Sequence, residues 1–311
     1  MSHSMISEPL NKPCGVAGLV QRFLRIGMGA TLALAIAACA TTPAGYSSNA
    51  PVVISGAGDI TATVERYRSV LGGADNGGTP GTQASGFRSL NWDKVPDEFA
   101  TPHNLPADFF NAPTAPCACG VVLTTPGTGL QASARPDNPA NIAPRFGNIN
   151  PQYPRIFKTF SPERLFSPVG SNVVDMTFFV PGSKTPAVVR GLGGVFVNVR
   201  DPQTIIELFD AAGNSLGKFP VPVAKEGLSF VGVAFAEPIV AHVRIEHGNA
   251  ALGPDDGGNV NVAVMDDYIY GEPHAMTKAV LKQSGYGGYS RGYGNSDGVH
   301  AWVGGLNSPH V

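Results

Sequence analysis

The sequence predicts a mainly β protein built as an antiparallel sandwich or barrel, and three observations carry that reading. The 311 residues include 39 glycines and 27 prolines, a density of turn formers that helical bundles do not have. From Val121 onward, short apolar runs alternate with turn clusters at a spacing of about 8–14 residues. Hydrophobic residues make up 43% and charged residues only 14%. That is enough apolar material for a core and excludes a chain disordered throughout, which would be apolar-poor and highly charged. A formal net charge of −2 supplies no basic field for nucleic acid.

The N-terminal residues read as an address. Arg22 and Arg25 precede the apolar run Ile26–Ala38, 13 residues long. At about 1.5 Å per residue, such a run cannot cross a hydrocarbon core of about 30 Å. A positive flank, a short apolar core and small residues at its end predict a secretory signal peptide over 1–38. The run closes on Ile36-Ala37-Ala38-Cys39, which resembles a bacterial lipobox. The resemblance implies cleavage before Cys39 and a diacylglyceryl group on its sulfur, anchoring the chain to a membrane. Ala40 follows where an Asp would signal inner-membrane retention, so the outer membrane or cell surface is the expected destination. An ordinary signal peptide cut near Ala38 is the alternative. Residues 39–58 read as a tether, with a Ser/Thr/Pro/Ala/Gly-rich stretch over Thr41–Pro51.

The segment 59–119 combines one helix with irregular chain. Ile60, Val64, Tyr67 and Leu71, spaced 4, 3 and 4, trace one helical face; Asp59 can cap its start and Gly72-Gly73 stop it. A Gly/Thr/Asn linker leads to a short strand at Phe87–Trp92, then to a long irregular stretch. Cys117 and Cys119 are two apart, so a disulfide between them closes only a small ring; a zinc site lacks a second soft pair. An inert or simply oxidised loop is expected there, with a local redox or strained-disulfide role as the alternative.

The block 120–274 carries the strands. Ile205–Phe209 and Ser215–Phe219 flank Asp210-Ala-Ala-Gly-Asn214, the clearest hairpin. Runs at Pro154–Phe160, Val173–Val180, Ala187–Val199, Leu228–Ala236 and Val260–Tyr270 read as further strands. In Ala241–His247 the apolar side chains Ala241, Val243 and Ile245 alternate with His242, Arg244 and Glu246. His242 and His247, five apart, point to opposite faces and cannot chelate together. His103 and His274 fall in irregular segments. Residues 275–311 are Gly- and Tyr-rich and poor in aliphatics, so a disordered tail is expected.

Several of these runs resemble a family. Phe178-Phe-Val-Pro-Gly, Gly191-Leu-Gly-Gly-Val-Phe-Val-Asn-Val, Ile206-Glu-Leu-Phe-Asp-Ala-Ala-Gly-Asn, Ser229-Phe-Val-Gly-Val-Ala-Phe and Met265-Asp-Asp-Tyr-Ile-Tyr-Gly look like the core of jelly-roll β-sandwich modules of secreted bacterial proteins. The same layout is similar to carbohydrate-binding and galactose-binding-like modules, whose last strand often ends like Asp267-Tyr-Ile269. The resemblance, covering about residues 120–272, implies an antiparallel jelly-roll-like sandwich with a binding role. In some of those modules the matching Asp touches a structural calcium ion.

Two candidate sites follow. Asp255, Asp256 and Asn259 sit on a turn-rich loop and, with Asp267, offer the oxygen donors that calcium prefers. Asp267 should share a face with Met265 and Ile269, where an inward carboxylate needs hydrogen bonds or a cation. Trp92, Tyr268, Tyr270 and Trp302 are candidate platforms for a sugar ring, and Tyr268 and Tyr270 should face away from Ile269. No G-x-S-x-G, H-E-x-x-H or P-loop pattern is present. The expectation is a surface-anchored lipoprotein carrying a non-catalytic, glycan-binding sandwich. Alternatives are a secreted hydrolase drawing acids from Lys94–Asn111 and Gly253–Asn261, with Asp93 and Asp255 as first candidates, or an envelope structural or adhesion protein.

Overall fold

The computed structural model describes residues 50–112 and 117–276. The Cys39 motif, the Gly/Tyr tail beyond 276 and Trp302 lie outside them. In chain order the elements are β1 (Val52–Ala57), α1 (Thr61–Leu71), β2 (Phe87–Leu90), β3 (Val121–Thr124), β4 (Gly129–Ala132), α2 (Tyr153–Ile156), β5 (Phe166–Val169) and β6 (Val173–Phe178). There follow β7 (Ala187–Val188), β8 (Gly191–Val199), β9 (Ile205–Phe209), β10 (Ser215–Pro220), β11 (Ala224–Ala234), β12 (His242–Glu246), β13 (Val264–Gly271) and β14 (His274–Ala275).

The strands form an antiparallel β-sandwich. One sheet runs β1-β11-β8-β13-β5-β4, with β2 also on β13; the other runs β10-β9-β12-β6-β3. Within these, β5-β13-β8-β11 faces β6-β12-β9-β10, the strand order of a jelly roll. The chain crosses between sheets at most connections, so each strand contributes one face to a shared interior. Leu192, Phe196, Val231, Val233, Met265, Tyr268 and Tyr270 meet Met176, Phe178, Ile206, Leu208, Val243 and Ile245 there.

A second apolar layer lies on the outer face of the larger sheet. Ile60, Val64, Tyr67 and Leu71 of the α1 region pack there on Ile54, Val195, Phe230 and Ile269. This is the predicted helical face. Asp59 accepts a hydrogen bond from the Thr61 amide (3.1 Å), and Gly72 and Gly73 take positive φ just after the helix. Because α1 covers the sheet, β8 and β13 are buried on both faces, and their sequences are near-continuously apolar for that reason.

Three expectations change. The tether read over 39–58 ends before Val52, because Val52–Ala57 pairs with Ala234–Ser229 of β11 and closes that sheet edge. Pro154–Phe160 is not a strand: Pro154 suits a first helical turn, Tyr153 stacks on Phe157 at 4.3 Å, and α2 forms one turn. The chain stays paired through Met276, where β14 meets β7 and the Met276 amide bonds to the Pro186 carbonyl.

Candidate functional site

The β13 strand carries one of the register irregularities of the sandwich. Its N-terminal part pairs with β5 at Met265 opposite Phe166, and its C-terminal part pairs with β2 from Tyr268 opposite Leu90. Its register on β8 shifts between Met265 and Tyr268. The extra residue puts Met265 on the same inner face as Tyr268 and Tyr270, whereas Ile269 faces α1. Asp267 therefore does not share a face with both Met265 and Ile269, as strict alternation requires.

At this bulge the neighbouring carboxylates of Asp266 and Asp267 converge on one hydroxyl. Ser161 Oγ lies 2.8 Å from Asp266 Oδ1 and 3.1 Å from Asp267 Oδ1. The Phe160 amide donates to Asp266 Oδ2 (2.6 Å), and Asn91 Nδ2 donates to Ser161 Oγ (3.1 Å). The Trp92 indole N–H donates to the Asp266 carbonyl. Burial, then the Asp267 charge, raises the Asp266 pKa. Burial likewise raises that of Asp267, against a hydrogen bond from Asp266. Both shifts favour a proton on the pair, because two adjacent buried carboxylates cannot both ionise cheaply. Both carboxylates are buried and turned onto the one Ser161 hydroxyl, not set across an open cleft as glycosidase acids are.

Trp92, Tyr268 and Tyr270 are corrections to the sugar-platform expectation. All three are wholly buried between the sheets. Trp92 stacks on Phe166 at 4.1 Å and meets Tyr268 edge-on at 5.6 Å. The two tyrosines do face away from Ile269, but that face is the interior.

The calcium expectation is also corrected. The Asp256 carboxylate is taken by Arg200 and by the Val262 amide (3.0 Å). Asp255 and Asn259 are exposed, and Asp267 is bound up with Asp266 and Ser161. Among the described residues no three His, Cys, Asp or Glu side chains converge. Arg200 lies 56 positions before Asp256, so spacing alone does not mark it as the partner.

The hydrolase candidate Asp93 is likewise engaged. Its Oδ1 accepts the Glu163 and Arg164 amides, the latter at 2.8 Å. Further along the same segment, Asp97 binds Arg164 and Arg135. Burial raises the Asp97 pKa, but the Arg164 hydrogen bond and both guanidinium charges outweigh it, so the carboxyl stays below its ordinary range. Asp93 and Asp97 thereby fasten the 92–101 segment to the loop leading into β5.

That fastening shapes a cleft of about 200 Å³ between residues 97–101 and 134–142. Asp97, Glu98, Thr101 and Asn138 line it with polar groups, and Ala100, Ala134, Pro139 and Ile142 with apolar ones. Asn138 is fixed by bonds to the Arg135 and Ile142 carbonyls (2.8 and 2.7 Å) and from the Ile142 amide (2.9 Å).

Among the described residues the histidines do not gather. His242 binds Asp175 (2.9 Å) on the outside of the smaller sheet, beside the paired bonds from Arg244 to the same carboxylate. His247 is wholly buried against Phe196, with neither ring nitrogen hydrogen-bonded.

Neither family descriptions nor curated proteins match the sequence. Among solved structures the chain is similar to the enzymatically active domain of tailspike protein 4 of bacteriophage CBA120. Identity is 13%, over 55% of this chain and 21% of that one, with a TM-score of 0.21. This chain therefore spans about a fifth of that structure, and a likeness at this score carries no argument about fold or activity.

Proposed function

We propose that this chain is an exported, lipid-anchored β-sandwich module that binds a small polar ligand, with glycans as the ligand class. The address rests on the Ile36-Ala37-Ala38-Cys39 motif behind a short apolar run. Twelve residues separate Cys39 from β1, a length suited to a tether.

The observation that carries the binding role is the cleft beside Asp97 and Glu98. Its size, about 200 Å³, is below the 300–1,000 Å³ or so of sites for drug-sized ligands and suits one sugar ring. The exposed Glu98 carboxylate can accept bonds from ring hydroxyls, while Pro139 and Ile142 offer an apolar side.

Two experiments test the two parts. Cys39→Ala should abolish incorporation of a labelled fatty acid and release the protein from membranes; labelling that persists overturns the anchor. A glycan array should show binding that Glu98→Gln weakens about tenfold, the cost of one charged hydrogen bond. Silence across the array, or binding indifferent to Glu98, overturns the cleft as a glycan site.

A further inference from the structure

The Cys117–Cys119 disulfide has little to do as a structural cross-link. It spans one intervening residue, and closing so short a loop withdraws little freedom from the unfolded chain. The native loop is held by other means. The Cys119 amide donates to the Phe110 carbonyl (2.9 Å), and the Tyr270 hydroxyl donates to the Cys119 carbonyl (2.8 Å). Arg88 donates to the Ala118 carbonyl (3.2 Å) and is itself fixed by Glu272. None of these bonds involves sulfur, so the three residues keep their places whether or not the sulfurs are joined.

The two sulfurs are also unequal. Cys119 is fully buried and Cys117 is partly exposed. Both line a cavity of about 40 Å³ together with Asn91 and Lys94. An accessible sulfur, a shielded partner sulfur and a backbone that stays put are the requirements for reversible exchange.

We propose that Cys117–Cys119 is a thiol–disulfide exchange site whose co-reactant is an external dithiol. The reductant's thiolate attacks Cys117 Sγ, the bond to Cys119 Sγ breaks, and Cys119 leaves as a thiolate that takes a proton from solvent. The reductant's second thiol then loses its proton and attacks its own sulfur in the mixed disulfide, releasing Cys117 as a thiolate that takes up that proton. Two electrons have passed to this chain, which ends as the dithiol, while the reductant ends as a disulfide. The proposal is independent of the glycan cleft.

The test uses the full chain, with adducts located on the peptide containing Cys117 and Cys119. Millimolar dithiothreitol without denaturant, followed by iodoacetamide, should place one adduct there, on Cys117, with a second on Cys119 only after unfolding. Circular dichroism should be unchanged, Tm should move by no more than about 4 °C, and oxidised glutathione should restore the bond in unalkylated protein. In the single variants, Cys119→Ser should form a mixed disulfide with glutathione at Cys117 at least about tenfold faster than Cys117→Ser does at Cys119, since exchange depends on access. The proposal is overturned if the peptide is alkylated only after unfolding, or if reduction collapses the fold. Equal reactivity of the two single variants also overturns the assigned order of attack.

Discussion

The Tyr67 ring lies directly over Gly232: a Cβ added to Gly232 would stand 2.4 Å from Tyr67 Cδ2. Gly193 on the adjacent strand gives the ring the same clearance, with a Cβ there 2.7 Å from Cε1. The Tyr67 hydroxyl then reaches the Val233 carbonyl at 3.1 Å. The two glycines thus form the seat on which α1 is docked. Gly232→Ala should destabilise the protein by about 1–3 kcal/mol through overpacking. In a Tyr67→Ala background the same change should cost much less, because the ring it strikes is gone. Urea midpoints for the four members of this cycle measure the coupling; additive costs would show that the helix is not seated through this ring.

Tyr268 and Tyr270 occupy the same face of one strand, yet their hydroxyls differ. That of Tyr270 donates to the Cys119 carbonyl at 2.8 Å; that of Tyr268 is buried without a partner. Tyr270→Phe should cost about 1 kcal/mol, the net value of a buried hydrogen bond. Tyr268→Phe should be neutral or stabilising, because it removes a desolvated hydroxyl that gains nothing in exchange. Chemical denaturation of both variants checks the contrast, and equal losses would contradict it.

Arg88 and Glu272 form a fully buried pair at 2.8 Å, with a second bond from Nε at 2.9 Å. The guanidinium also donates to the carbonyls of Gly77, Thr79, Gly81 and Ala118. It therefore ties the 77–81 linker to the end of β13 and to the cysteine loop. Glu272→Ala should cost about 3–5 kcal/mol, since it strands a cation away from water. Arg88→Lys should also be poorly tolerated, because an ammonium cannot span these acceptors as a planar fork does. Thermal unfolding reads both; a loss below 1 kcal/mol or so for Glu272→Ala would refute the assignment.

The jelly roll is legible in the sequence because its inner and outer faces impose periodicity. Ile60, Val64, Tyr67 and Leu71 show a helix face, and the 205–219 hairpin is marked by its Asp210–Asn214 turn. What alternation cannot show is where it breaks. The doublet Asp266-Asp267 inside the apolar run Val262–Tyr270 is the only trace of the bulge, and it reads as a cation site rather than a register shift. The aromatics mislead for a related reason. Composition identifies Trp92 and Tyr268 as large and amphipathic, but whether such a ring faces solvent or a second sheet depends on long-range pairing. Arg88 and Glu272 lie 184 residues apart, and no local pattern joins them.

The buried titratable groups give stability a pH dependence with two separable limbs. The Asp266 and Asp267 carboxyls are pushed up to about 8 and about 6, chiefly by burial. Between about pH 4, where unfolded carboxyls titrate, and pH 8 the folded chain therefore binds more protons than the unfolded one. The pair's contribution is complete below pH 4 and is lost as pH rises through 6 and 8. His247 acts in the opposite sense. Burial pushes its pKa down to about 3, against an ordinary value of 6.5. Below pH 6.5 the unfolded chain takes up a proton that the folded chain refuses, so stability is lost as pH falls toward 3. Each proton of difference is worth about 1.4 kcal/mol per pH unit. Asp266→Asn keeps a donor toward Asp267 but removes one titrating carboxyl, so its stability relative to the parent should improve from about pH 4 to pH 8 and level off above it. His247→Phe should gain relative to the parent only below pH 6.5, whatever its offset at neutral pH from the larger ring. Urea denaturation of the parent and both variants at unit pH steps separates the limbs. A parallel offset at every pH for Asp266→Asn would mean the pair does not hold its proton, and the same result for His247→Phe would mean the imidazole is not kept neutral by burial.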